Sequence, residues 1–288
     1  MLTDDETDIR SLPPGGWLTI TESTGLFGRV TFEARSVDGK LQRKWSGLEG
    51  ETQRRKWLAD RLLELVRNSG LAADSRVARI LKQSGADGVL REISRITSDH
   101  VKRIYFQRLL ATASLDSATL SRLIGQAGRD IHSAYEMAGL LTSSVAPRLG
   151  ANDDSTRRAY VQAVGSISSD YERRRALEAL INAGHLGAGI VAQVLDAAGA
   201  LRSDYEKGRV LSALANDQKI DGPILVALVQ ATARIGSSYE RARVLSAIAR
   251  QHPLQGAARE AYLAAARSIP SRHEQDRALA ALTRAEVR

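Results

Sequence analysis

The stretch SSDYERRRAL, residues 168–177, returns as RSDYEKGRVL at 202–211 and as GSSYERARVL at 236–245. Aligned on its second serine, the motif recurs at Ser98, Ser133, Ser169, Ser203, Ser237 and Ser271, at intervals of 34 to 36 residues. Two residues before each serine stands an aliphatic side chain: Ile96, Ile131, Ile167, Leu201, Ile235 and Ile269. A period of this length marks an array of helical hairpins, because one such unit cannot bury its apolar faces alone.

The motif reads as a helix start. Three residues after the serine comes Glu136, Glu172, Glu206, Glu240 or Glu274; the first copy has Val101 instead. Ser-x-x-Glu is the capping box, in which the serine oxygen accepts a first-turn N–H and the glutamate reaches back to the serine N–H. Ser133, Ser169, Ser203, Ser237 and Ser271, with their glutamates, are therefore assigned to capping. Asp99, Asp170 and Asp204 follow the serine and place negative charge at the positive end of the helix dipole. Eight and eleven residues past the serine, Leu177/Leu180, Leu211/Leu214, Leu245/Ile248 and Leu279/Leu282 form the apolar seam of a first helix. Ile190, Val191, Val194 and Leu195, then Ile224, Leu225, Leu228 and Val229, mark the second. The expected fold is mainly α: an α-solenoid of about six helical hairpins, HEAT-like or tetratricopeptide-like in geometry, over residues 97–288.

The front of the chain has a different period. GWLTITE alternates, with Leu18 and Ile20 on one face and Trp17, Thr19 and Thr21 on the other. GRVTFEA puts Val30 and Phe32 on a common face, and VDGK at 37–40 is a tight-hairpin signal before KLQRKW. Residues 1–48 thus read as a small antiparallel β-meander of three or four strands. Such a sheet is marginal alone, so it is expected to lean on the helix that follows. Residues 49–96 read as connecting helices: one carrying Trp57, Leu58, Leu62, Leu65 and Val66 up to Gly70, then two short ones over DSRVARILKQSG and DGVLREISRI.

The search for chemistry ends without a catalytic set. With no cysteine among 288 residues, disulfides, thiolate zinc sites and thiol nucleophiles are excluded. HEQDR at 273 lacks the second histidine of a zinc helix, the five histidines are scattered, and the glycines near Gly187 follow no strand, as a phosphate loop requires. The expectation is a protein that is no enzyme and carries neither metal nor cofactor. No apolar run reaches 18 residues, and the acidic start MLTDDETDIR is unlike a signal peptide. The expected location is the cytoplasm, or the periplasm for a piece of a longer chain.

Two ladders remain. Tyr135, Tyr171, Tyr205 and Tyr239 stand two residues after the serine, with His100 and His273 in the end copies. Arg175, Arg209, Arg243 and Arg277 stand six after it. In one reading each arginine pairs with its capping glutamate and each tyrosine packs between repeats. In the other, the solenoid aligns them into a strip of the side chains most used as interface anchors. The partner is then another protein; the alternative, suggested by a net charge of +8, is nucleic acid held by a basic Arg/Tyr strip.

The block DIRSLPPGGWLTITE (8–22) with VDGKLQRKW (37–45), the run from Trp57 to Phe106, and the ISSDYE repeat resemble a known arrangement. They are similar to the non-catalytic C-terminal region of proteobacterial relatives of the BlaR/MecR-type regulatory membrane metallopeptidases, and to stand-alone bacterial proteins that share it. The resemblance covers nearly the whole chain, through scaffold motifs. The His-Glu-x-x-His motif and the membrane helices are absent, so peptidase activity and membrane insertion do not carry over. It implies a sensing or partner-binding module in envelope or antibiotic-stress regulation.

Overall fold

The structure is a computed structural model that describes residues 1–3, 5–25, 28–150, 153–216, 220 and 222–287. Three strands, β1 (Trp17–Thr24), β2 (Gly28–Val37) and β3 (Lys40–Ser46), form an antiparallel sheet in chain order. Val37 pairs with Lys40 across the turn, where Asp38 and Gly39 both hold positive φ, 50° and 73°. That is the backbone of a tight primed turn, and it explains why Asp-Gly sits there. One face of the sheet closes on helix α1 (Glu51–Ser69): Phe32 and Ala34 share a small core with Ile9, Leu58 and Leu62. Trp45 bridges the two layers, with Phe32 at 4.6 Å and Trp57 at 5.7 Å between ring centroids. The Trp57 indole N–H donates to Glu22 of β1 (2.5 Å). The sheet does lean on the helix, which supplies the apolar face that three strands lack.

Helix α2 (Ala73–Ile93) is two helical pieces divided at Gly85, whose φ of 65° breaks the helical ladder. This is the pair of short helices expected there. Past α2, five hairpins and a closing helix are visible among the described residues of 97–288, where about six hairpins are expected. The first helices of the hairpins are α3 (Asp99–Thr112), α5 (Ala134–Leu140), α7 (Asp170–Asn182), α9 (Asp204–Ala215) and α11 (Ser238–Gln251), followed by the closing α13 (Arg272–Glu286). The second helices are α4 (Ser117–Asp130), α6 (Asp154–Gly165), α8 (Ala188–Gly199), α10 (Gly222–Ala231) and α12 (Gly256–Arg267). First helices stack on first helices and second on second, giving two layers. One core runs from Ala73 to Leu282 through the stack. Helix α5 is irregular: it passes into a π turn at Leu141–Val145 and a 3-10 turn at Ala146–Arg148. The sequence has no marker for that irregularity beyond Pro147. It lies within the longest repeat interval, the 36 residues from Ser133 to Ser169.

The aliphatic residue two before each serine is the register pin. Ile96, Ile131, Ile167, Leu201, Ile235 and Ile269 are all no more than 3% exposed. Two residues on, the serine begins the next helix. Each of the six serine oxygens accepts from the N–H three residues later: Val101, Glu136, Glu172, Glu206, Glu240 and Glu274.

The other half of the capping box is different. At Ser133, Ser203 and Ser237 the N–H donates to an aspartate of the preceding repeat. Asp99 Oδ2 accepts from the N–H groups of His132 (2.9 Å) and Ser133 (2.7 Å). Asp170 Oδ2 accepts from Arg202 and Ser203 (2.7 and 2.8 Å), and Asp204 Oδ2 from Ser237 (2.8 Å). An aspartate in the first turn of one helix thus reaches one repeat along and fixes the loop that starts the next. Ala134 and Ser238 hold the same position in their copies and carry no carboxylate to do so. The glutamates pair with arginines both in the bridged copies, as Glu240 with Arg243, and in the unbridged ones, as Glu172 with Arg175 and Glu274 with Arg277.

Burial pushes the Asp99 and Asp204 carboxyls up. The backbone N–H donors, Ser133 and His132 for one and Gly236 and Ser237 for the other, with Lys102 and Lys207, outweigh it and hold both below the usual aspartate range. A carboxyl depressed in the folded state stabilises the fold fully above its unfolded value, about pH 4, and loses that contribution as pH falls through the folded value. Asp204→Ala is therefore expected to lower stability by about 1–2 kcal/mol at neutral pH, with the difference from wild type shrinking below about pH 4. Urea unfolding at both pH values measures it, and a pH-independent difference would contradict the inter-repeat bond.

Candidate interaction strip

Fixing the cap fixes where the next three residues point, since each helical residue turns about 100° from the last. The first-turn aspartate faces the next repeat. The tyrosine one residue later faces solvent. Tyr135 is 64% exposed, Tyr171 53%, and Tyr205 and Tyr239 52% each. The other three tyrosines, Tyr105, Tyr160 and Tyr262, are fully buried. The hydroxyls of Tyr160 and Tyr262 donate to the carbonyls of Ala176 (3.0 Å) and Ala278 (2.9 Å), one step away in the stack. Burial pushes the phenols of both, and of Tyr105, upward, the last to about 12. The inter-repeat packing expected of the ladder tyrosines is done instead by Tyr160 and Tyr262, on the second helices. They stand 102 residues apart, three intervals of 34, with the apolar Val194 and Leu228 at the same position in between.

The arginines behave differently from the tyrosines. Arg175, Arg243 and Arg277 each pair with the glutamate three residues before, at 2.7, 2.7 and 3.3 Å. Arg209 departs from this pattern and pairs across the repeat with Glu178 (3.5 Å). Two further arginines, absent from the ladder as read from sequence, join the row. Arg174 lies between Glu178 and Glu206, and Arg103 pairs with Glu136. His100 Nδ1 is 3.2 Å from Glu136 Oε1. Their position, five after the serine, is filled by other residues in the remaining copies, so periodicity does not reveal them.

The ion pairs of the strip follow by name. Arg103, Arg174, Arg175, Arg209, Arg243 and Arg277 face Glu136, Glu172, Glu178, Glu206, Glu240 and Glu274, and every member has a partner of opposite sign. The ladder arginines are thus engaged by carboxylates rather than standing as unpaired cations. The arginines also order the rings. Arg174 lies 4.9 Å from the Tyr171 centroid and Arg175 5.9 Å, while Arg277 lies 5.2 Å from the Tyr239 ring of the preceding repeat. Among the described residues no three histidine, aspartate or glutamate side chains are grouped to hold a metal ion, and no helix is long and apolar enough to cross a membrane. Glu274 of HEQDR pairs with Arg277, and Gly187 stands at the start of α8.

Comparison with protein-family models, with curated proteins and with solved structures finds no match.

The two sets of tyrosines are expected to separate under substitution. Tyr160→Phe or Tyr262→Phe removes the hydrogen bond from a buried hydroxyl to a carbonyl of the adjacent helix and costs about 1 kcal/mol. Tyr171→Ala and Tyr205→Ala stay within about 0.5 kcal/mol of wild type. Thermal unfolding followed by circular dichroism distinguishes them; a large loss from Tyr205→Ala would mean that the exposed ring is a packing residue.

Proposed function

We propose that the protein is a non-enzymatic interaction scaffold that binds another protein along the strip of Tyr135, Tyr171, Tyr205 and Tyr239 with its arginine–glutamate rows. The observation that carries this is the division of the tyrosines. All four at one repeat position are half or more exposed, while the three elsewhere are buried. An exposed large aromatic side chain costs hydration, and four at the same place in successive repeats make an ordered aromatic surface of the kind that anchors protein interfaces. Arg209, Arg243 and Arg277 take part as the frame beside the rings. The resemblance to the C-terminal regions of BlaR/MecR-type regulators supports a sensor or adaptor role in bacterial envelope or antibiotic-stress regulation.

The engagement of the ladder arginines by carboxylates favours a protein partner over a phosphate backbone, which is held by uncompensated cations. The test is affinity capture from the native host with the wild type and with a Tyr171→Ala/Tyr205→Ala/Tyr239→Ala variant, quantified by mass spectrometry. The variant is expected to lose its captured partner by about tenfold or more, since a hot-spot aromatic contributes about 2 kcal/mol or more. Equal capture removes the strip as the binding surface. A gel shift with single-stranded DNA that tightens steeply as salt is lowered returns the function to nucleic acid.

A further inference from the structure

Exposed apolar side chains gather at the other end of the molecule. Apart from the tyrosine ladder, six large ones stand exposed among the described residues: Met1, Trp17, Val37, Leu65, Leu71 and Val287. Four of them, Met1, Trp17, Leu65 and Leu71, line one cleft of about 680 Å³ where the β-sheet meets the first helices. Its walls come from the segment before β1, the start of β1, α1 with the turn after it, and the first turns of α2. A concave, mainly apolar space of this size is of the class that holds a small molecule. Trp17 is its one aromatic residue; the other apolar lining is leucine, isoleucine, valine, alanine and methionine. Such walls suit an aliphatic body, which needs no stacking partner, better than a flat ring.

The charged residues of the lining are Glu6, Arg76 and Arg79, and they form one cluster, since both arginines bond the Glu6 carboxylate. Within the cleft the cations therefore exceed the anions by one. Glu92, outside the lining, does not cancel the excess, because Arg67 and Arg95 face it as well as Arg76. Arg76 is buried, with Glu6 and Glu92 on its two terminal nitrogens, and its Nε–H has no acceptor. A buried donor left unmade is unfavourable, so this cluster gains from one more acceptor. The Arg79 side chain is 33% exposed and offers the accessible cation. Arginine matches the planar, two-oxygen geometry of a carboxylate, and an excess of one charge suits a monoanion better than a doubly charged phosphate.

We infer that this cleft is a binding site for a small aliphatic carboxylate of fatty-acid type, its chain against the leucine-lined walls and its acid group at the Arg76–Arg79 cluster. The site is separate from the tyrosine strip and does not depend on what the strip binds.

The experiment uses the full chain and follows displacement of fluorescent dansylaminoundecanoic acid by dodecanoate, dodecanol and hexanoate, each below its micellar concentration. Dodecanoate is expected to compete at least about tenfold better than dodecanol, which lacks the charge. It is expected to compete at least about a hundredfold better than hexanoate, which lacks half the chain. Leu65→Gln/Leu71→Gln changes two exposed positions and is expected to weaken dodecanoate by about tenfold or more. Arg79→Gln is expected to remove the preference for dodecanoate over dodecanol, and the triple tyrosine variant of the strip to bind dodecanoate as wild type does. The inference is overturned by no displacement with dodecanoate at about 1 mM, by equal displacement with dodecanol, or by unchanged binding in the leucine variant. Phosphatidylcholine vesicles free of fatty acid provide the membrane arm: co-sedimentation that the leucine variant abolishes assigns the patch to a bilayer and overturns the inference. A dimer that the same variant splits assigns the patch to a second copy, with the same result.

Discussion

A serine oxygen that accepts one backbone N–H, with a buried aliphatic side chain two residues before it, is the constraint on which the rest of this protein depends. The aliphatic group holds the end of one hairpin in the core, and the serine starts the next helix a fixed two residues later. Each cap contributes only about 1 kcal/mol. Its larger effect is on direction. With the first turn fixed in phase, the aspartate must face the neighbouring repeat, the tyrosine solvent, and the glutamate the row of arginines. Cap, bridge, exposed ring and ion pair are consequences of one phase choice repeated along the stack.

The bridging aspartates show how a solenoid alters a local motif. In an isolated helix the glutamate of Ser-x-x-Glu has no competitor for the serine N–H. In the stack, Asp99, Asp170 and Asp204 arrive from the preceding repeat at the N–H groups of Ser133, Ser203 and Ser237. Nearest-neighbour coupling of this kind is what gives a repeat array its cooperativity. Beside the tyrosines, ion pairs within and between repeats engage the ladder arginines.

At the other end, a chain of alternating charges ties the N-terminal segment to the stack. Glu92 of α2 accepts from Arg67 of α1 and from Arg76, and Arg76 and Arg79 both reach Glu6. Arg76 and Glu92 are buried, so each depends on its partners for the charge it carries out of water. None of this was legible from the chain, because the partners lie up to 73 residues apart and follow no period. The β-hairpin turn at Asp38-Gly39 was legible, since a primed turn needs two residues that tolerate positive φ and the sequence names them.

The sequence by itself determined the repeat, its phase, the start of each first helix and the apolar seams, because capping, periodicity and turn chemistry act over a few residues and leave local marks. It also marked the tyrosine and arginine ladders, but it left open whether their rings are packed or exposed and whether their charge is free. Only the tertiary structure decided that. It exposed Tyr135, Tyr171, Tyr205 and Tyr239 while burying Tyr160 and Tyr262, recruited Arg103 and Arg174, and set six arginines against six glutamates. The physical reason is that exposure and ion pairing depend on what the adjacent repeat brings alongside, some 34 residues away in the chain and one helix diameter away in space.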